Sequence, residues 1–540
     1  MHMSETSKTA GASGHSSVNR AKLYQLVLFP LNNGATNVYY VLILSYVATF
    51  GSTVLLLGTV FASVMVTAMR VFDAITDPII GALMDRTNGK FGKFRPFMVI
   101  GNAIMAVSVL LLYIGTPLIP ESMMWLRYVM FVLLYAVWVI GYTFQTSVTR
   151  AGQTVLTNDP NQRPLFTIFN TVGSLVGMGV MQFSAPIIAT GFADGYGAAE
   201  FYAVFAPVGI VISIGLTILA IIGIWEKDQP KYFGLGGSSS GEKVKMSEYI
   251  AIIKANNPMQ RLMVAGAGCK LALSIATNTT VLCMLYGCMM GNYDTLYLPM
   301  MVLGYVFSVP FFLLTVRTSQ KKGQKASLVR YVTIALVMYV GVLVLLFLWN
   351  PNDPNFMFSI YQGTLFESDF AITINPYTIL FIIFFGIGYG AYYATADMPI
   401  PMVADCSDYE TYRSGNYIPG IMGTLFSLVD KLVSSLSATV VGLAVSAIGL
   451  SKLPTQYTPY EDGMNVVVIV LFCVIPMIAW AATLIAMKGY TLTGARMKEI
   501  QAINACRKDA IADGMSKEEA MAKWTKVEDL PEEYRPTVKS

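Results

Sequence analysis

The stretch VFDAITDPIIGALMDRTNGKFGKFRP, residues 71–96, begins inside a long apolar run and ends in a burst of positive charge. Asp73 and Asp77 stand in the apolar part, four residues apart and so on one helix face, with Arg70 a turn before Asp73. A charged side chain near the centre of a bilayer is costly enough that it normally faces a protein interior or a water-filled path. Pro78 follows directly and has no N–H to offer the carbonyl of Ala74, which lies between the two acids. Two carboxylates, a spare carbonyl and the Thr76 hydroxyl make an oxygen-rich pocket suited to a small hard cation. Alternatively the acids share a proton, because two like charges this close resist joint ionisation. The competing reading is structural, with both acids pairing to Arg70 to hold helices together; the expense of burying two acids rather than one favours function.

Composition supplies the setting. Of 540 residues, 55% are hydrophobic and 13% charged, about half the charged share usual in soluble proteins. Mean hydropathy is +0.57, and the apolar residues come in long blocks, the pattern of a polytopic helical membrane protein. The six cysteines show no CxxC spacing, so neither a disulfide framework nor a zinc site is indicated. The only histidines, His2 and His15, precede the first apolar block, which excludes a histidine proton relay within the membrane. The opening segment is polar, Ser/Gly-rich and without the apolar core of a signal peptide, and reads as a disordered cytosolic tail over 1–21.

Taking ~20 apolar residues per crossing, the blocks predict twelve spans. Six lie near 23–47, 54–84, 97–117, 125–149, 165–190 and 203–225, and six near 260–289, 294–316, 328–349, 375–402, 418–449 and 464–488. The loop after span two carries Arg86, Lys90, Lys93 and Arg95, and the loop after span eight carries Arg317, Lys321, Lys322, Lys325 and Arg330. The odd-numbered loops carry almost no Lys or Arg, Lys452 apart, which places the even-numbered loops and both termini in the cytosol. Both basic loops follow the second span of a six-span half. The expected fold is therefore all-α, with twelve transmembrane helices in two six-helix bundles, 22–226 and 259–488, joined by a cytosolic linker 227–258. A cytosolic tail 489–540 with an amphipathic helix, MKEIQAINACRKDA, completes the chain. The linker's GLGGSSSGEK comes near a phosphate-cradling loop, but Glu242 takes the lysine position and no strand precedes it, so a flexible linker is expected and no ATP site. Uphill transport would then draw on an ion gradient or a partner.

The pattern DxxxDPxxGxxxDRTxxxxGKFRP resembles the glycoside–pentoside–hexuronide:cation symporters of the major facilitator superfamily. MVADCSDYETYRSGNYIPGIMGTLFSLVDKLVSS, residues 402–435, and the tail sequence YTLTGARMKEIQAI resemble the same family, and the likeness covers about 22–510. It implies a bacterial, multi-pass protein of the cell membrane, with no cofactor and no nucleic-acid partner. Its partners would be the lipid bilayer, a small-molecule sugar and a monovalent cation, Na+ or H+. The implied cation site is Asp73 and Asp77 with Thr76, where a family member has an asparagine, and Thr143. Lys431 matches a span-eleven lysine close to that site, with Asp73 and Asp77 as its expected partners and Asp430 as the competing one; Arg70 joins Lys431 as a coupling charge pair.

The implied sugar site departs from the family pattern. Asn32 and Asn33, with Asn37 a turn below, stand where a family member has a Lys-Asp pair. Thr146, Arg150, Asn170 and Ala396 stand at positions held there by an aspartate, a tryptophan, an arginine and a second tryptophan. Amides donate and accept and so suit sugar hydroxyls; Tyr142, Gln145, Tyr39 and Ser427 extend the set. Each such residue is equally at home bridging helices. Arg150 and Lys270 are further candidates for a uronate carboxylate. Asp85, Arg86 and Lys90 below span two, and Asp405 and Asp408 in loop ten, are read as gating residues. The expected function is cation-coupled sugar symport by alternating access. The alternative is a membrane sensor that binds sugar without moving it; no catalytic group or metal cluster marks the loops as an enzyme's.

Overall fold

The computed structural model describes residues 20–87, 89–156, 162–229, 254–363, 370–415 and 419–535. Among them fourteen helices have ten residues or more. In chain order they are α1 (Leu31–Tyr40), α2 (Thr59–Arg86), α3 (Arg95–Leu110), α4 (Met124–Ala151), α5 (Gln162–Ala189), α6 (Ala199–Ile224) and α7 (Asn257–Ala276). There follow α8 (Tyr293–Lys322), α9 (Gln324–Leu348), α10 (Pro376–Thr395), α11 (Pro399–Ser414), α12 (Pro419–Ala447), α13 (Ile475–Lys488) and α14 (Gly494–Ala512). A two-residue hairpin, Tyr361–Gln362 against Ala371–Ile372, is the only sheet among the described residues.

Among the described residues, ten helices are long and apolar enough to cross a membrane, or eleven if the pair Asn257–Ala276 and Thr279–Met289, bent by 47°, counts as one span. This is fewer than twelve because the first predicted span is broken. Leu23–Leu28 stops before Pro30, α1 passes into a π turn at Val41–Ser45, and Val47–Thr53 ends the stretch. Pro30 withholds a helical N–H, and a π turn shifts the hydrogen-bond register, so no single helix reaches spanning length. At span seven the break comes where the Asn278 side chain accepts from the Thr280 N–H and caps a new start. At span ten the helix halts at Thr395, and α11 begins at Pro399 as a separate element.

With lipid as solvent, helices associate through close backbone approach rather than apolar burial. Gly173 and Gly177, a GxxxG pair on α5, meet α1 so closely that a Cβ on Gly173 would lie 2.8 Å from the Pro30 carbonyl oxygen and one on Gly177 2.1 Å from that of Gly34. Gly101 of α3 and Gly141 of α4 cross in the same way, 2.8 Å from a built Cβ on Gly101 to the Gly141 oxygen. The glycine spacing thus sets which helices touch.

The basic loop after α2 is held by a residue far along the chain. The Asp228 carboxylate accepts from the backbone N–H groups of Lys93 (2.7 Å), Phe94 (3.0 Å) and Arg95 (2.9 Å), and from Arg95 Nε at 3.2 Å. These N–H groups open α3, where an anion meets unsatisfied donors and the positive end of the helix dipole. Gly92 has φ +89° and lies against Asp228, where a Cβ would come within 2.2 Å of the carboxylate. Arg95 stacks its guanidinium 4.4 Å from the Trp225 ring centroid. Asp228→Ala is expected to lower stability by about 3 kcal/mol or more, since several charge-assisted hydrogen bonds go at once. A melting curve in detergent checks this, with a neutral result ruling out the cap.

At the end that the charge pattern assigns to the outside, N- and C-terminal parts of the chain touch. The Leu453 N–H donates to Ser52 Oγ (3.1 Å), the Tyr196 N–H donates to Gln456 Oε1 (3.0 Å), and the Tyr196 and Tyr293 hydroxyls are 3.2 Å apart. At the opposite end the tail packs on α11. Arg507 donates to the carbonyls of Trp524 (2.6 Å) and Tyr412 (2.8 Å), and Asn504 donates to that of Asp408 (2.9 Å).

Candidate functional site

Arg70, Asp73, Thr76 and Asp77 recur at three- and four-residue spacing and share one face of α2, which packs along α12. Asp73 is 1% exposed. Its Oδ1 accepts from Thr143 Oγ1 of α4 (2.9 Å), and its Oδ2 lies 2.9 Å from Lys431 Nζ of α12 and 3.4 Å from Arg70. The same Nζ is 2.6 Å from Asp77 Oδ2. Of the two partners open to Lys431, the ammonium takes the pair on α2. One ammonium therefore bridges two carboxylates, and with Arg70 the set of two acids and two bases is neutral.

Thr76 donates to the Asp73 carbonyl (3.0 Å) and is 3.2 Å from the Thr143 hydroxyl. The Arg70 guanidinium sits 5.4 Å from the Tyr40 ring centroid and 6.0 Å from that of Tyr142, the cation–π geometry of a desolvated charge. Carboxylate and hydroxyl oxygens converge here on a cation that the protein itself supplies. The donor set fits a hard cation or a proton.

Arg70 also lines a cavity of about 210 Å³ between N- and C-terminal helices, with Tyr40, Gln182, Tyr305, Tyr389 and Tyr393. Tyr305 donates to Gln182 Oε1 across it at 2.5 Å. None of the described residues proposed from sequence for sugar binding lines this cavity. The tyrosines were missed because each sits in an apolar run where a ring reads as core; the density of tyrosine in GYGAYY, residues 388–393, was the available signal.

Asn32 is fully buried and goes to helix packing: it donates to the Gln145 carbonyl (3.0 Å) and to Thr149 (2.8 Å) and accepts from Gln145 Nε2 (2.9 Å). Gln145 and Asn102 extend this network to Thr217, at 2.8 and 3.0 Å. Tyr39 is fully buried as well. Asn33, Asn37 and Asn170 come together half-buried: Asn37 donates to Asn33 Oδ1 (3.1 Å), and Asn33 donates to the Asn170 carbonyl (3.2 Å). Asn170 Oδ1 is buried without a hydrogen-bond partner among the described residues. Tyr142 stacks on Trp138 at 5.1 Å, Thr146 satisfies its hydroxyl on the Tyr142 carbonyl, and Ser427 faces a second cavity.

The side chains of Asp85, Arg86 and Arg150 lie outside the described residues, as do 1–19 and the linker's 230–253. Lys90 is exposed, Asp405 is half-buried, and Asp408 accepts from Gln501 of the tail helix (3.3 Å). Lys270 is paired with Asp397 at 2.5 Å.

Fold and site together describe a helical membrane protein with a charged centre between its helices. The family model for MFS/sugar transport proteins matches residues 29–494. The chain belongs to that family, and within it to the glycoside–pentoside–hexuronide:cation symporters. It is 24% identical to a lactose permease of Lactobacillus delbrueckii subsp. bulgaricus over 81% of this chain and 64% of the permease, somewhat less than two thirds of that relative's length. It is also 24% identical to an Escherichia coli (strain K12) protein with the provisional name glycoside/cation symporter YagG, over 84% of this chain and 88% of the relative. Among solved structures, a D-xylose–proton symporter superposes with TM-score 0.54 at 14% identity, covering 87% of this chain and all of the other. A nucleoside transporter does so with TM-score 0.53 at 11% identity, again over 87% of this chain. Its relatives are multi-pass membrane permeases and symporters of bacteria, not enzymes.

Proposed function

We propose that this protein couples movement of a sugar, a glycoside, pentoside or hexuronide, to a monovalent cation, Na+ or H+, by alternating access. The observation that carries the reading is the Lys431 ammonium held between Asp73 and Asp77, because it makes the contact of α2 with α12 depend on charge. A cation or proton arriving at the two acids competes with Lys431. The freed ammonium loosens α12 from α2, and the two parts of the chain can then rock about the central site. Each ligand must improve the other's affinity by the same factor.

This reading takes the broken stretch 23–53 as the first of twelve spans, bundles at 22–226 and 259–488, and both ends in the cytosol. It treats the 210 Å³ cavity and the neighbouring Asn33–Asn37–Asn170 group as the sugar path, the tyrosine rings offering faces to stack on and the amides reading hydroxyls. The contacts of Ser52, Tyr196 and Gln456 support an outer gate that is closed in this conformation.

The test is uptake into proteoliposomes with imposed Na+ or H+ gradients, using labelled glycosides and uronides. The wild type is expected to accumulate one of them above equilibrium, and Asp73→Asn to lose accumulation. Unchanged accumulation in that variant would refute the assignment. Asn170→Ala is expected to raise the KM for counterflow roughly tenfold while leaving the melting temperature nearly unchanged, since it removes a buried acceptor that has no hydrogen-bond partner among the described residues.

A further inference from the structure

The ion-pair set at the α2–α12 contact leaves one acid over. Asp73 and Asp77 are met by Arg70 and Lys431, and Asp397 by Lys270. Asp430, next to Lys431 but about 100° round the helix, has Oδ1 buried with no hydrogen-bond partner among the described residues. It lines a separate cavity of about 360 Å³ between α11 and α12, walled by Val403, Ala404 and Phe426 and carrying the hydroxyls of Ser407 and Ser427. Ser407 is 2% exposed, and its Oγ also lacks a partner among the described residues.

The charged groups acting on Asp430 are Lys270 from α7, Asp397 from the turn before α11, Arg70 from α2 and Lys431 from its own helix. Lys270 alone among these cations is shared between Asp430 and an acid outside the Asp73–Asp77 set. The cavity offers one carboxylate and two hydroxyls among apolar atoms, too few oxygens to replace the shell of a metal cation. A carboxylate left in such surroundings without a partner is relieved by taking up a proton.

We propose that Asp430 is a second ion site of this protein, specific for a proton, and that Lys270 governs it by exchanging between Asp397 and Asp430. When Lys270 holds Asp397, Asp430 keeps its proton; when Lys270 turns to Asp430, the proton leaves through the cavity past Ser427 and Ser407, and the charge is balanced without it. The site acts in addition to Asp73 and Asp77 and does not depend on which cation they take.

Infrared difference spectra of the purified full-length protein across a pH series read the protonated carboxyl directly and need no transport. Wild type is expected to show a carboxylic C=O band that titrates, that Asp430→Asn removes, and that Asp73→Asn and Asp77→Asn leave in place. Lys270→Met should keep the band to higher pH, by about one unit or more, because it takes a positive charge away. Asp397→Asn should lose the band at lower pH, because it releases Lys270 to Asp430. Melting curves establish that each variant is folded. An unchanged band in folded Asp430→Asn overturns the proposal, as does displacement of the band by Na+ at fixed pH, which would make this a metal-cation site. The coupling assignment at Asp73 fails separately, in the accumulation assay.

Discussion

Lys431→Ala is expected to abolish gradient-driven accumulation and to destabilise the protein in detergent by about 3–5 kcal/mol, the range found when one partner of a buried ion pair is removed. Here the penalty falls on two acids at once. Asp73 and Asp77 have side chains only 2% and 22% exposed, and without the ammonium Asp73 keeps Arg70 as its ion-pair partner among the described residues. The second change Asp77→Asn in the same chain should return most of the lost stability, because it restores the balance of one acid against Arg70, yet it should not return accumulation. A double variant as unstable as Lys431→Ala would mean that packing of the lysine stem, not charge, joins α12 to α2. Lys431→Arg should keep stability near wild type and still impair transport, since a planar guanidinium cannot occupy the place of a compact cation between two carboxylates.

Gly177→Leu is expected to cut the yield of monodisperse protein about tenfold or more. A Cβ there would stand 2.1 Å from the Gly34 carbonyl oxygen, which belongs to the backbone of α1 and cannot turn aside. Overpacking typically costs about 1–3 kcal/mol, and more where backbone must move. Separation of α1 from α5 would also pull Asn33 away from the Asn170 carbonyl, so any protein that survives should show weakened sugar counterflow. Gly179 on the same helix is the control: its Cβ would meet only Phe183, at 4.0 Å, and Gly179→Ala should be silent in both size-exclusion profile and uptake. A normal profile for Gly177→Leu would remove the α1–α5 contact from the account.

The parts of this site that were legible in the sequence are those in which a residue type conflicts with its surroundings. Two acids and a lysine in apolar helices must find one another, and the charge they carry makes both their burial and their pairing foreseeable. Asn32 and Asn33 show the reverse. They are adjacent, chemically identical and equally apt to bind a sugar or bridge helices, yet Asn32 is absorbed by Gln145 and Thr149 while Asn33 turns to Asn170. The difference is one of angle around α1, set by the glycine contact with α5. The Asp228 cap is a similar case. The loop motif GKFGKFRP shows its charge openly, but the acid that organises it follows α6, more than a hundred residues later.

By itself the sequence determined the class of protein, the membrane it needs and the face of α2 on which its acids stand, because hydropathy blocks, loop charge and four-residue spacing are local properties of a chain. Only the tertiary structure decided that Asn32 is spent on packing while Asn33 turns to Asn170, that a tyrosine-lined cavity adjoins Arg70, and that Asp430 is left with a cavity of its own. Those outcomes depend on which helices touch and at what rotation, and that is settled by side chains and carbonyls hundreds of residues apart competing for the same few ångströms.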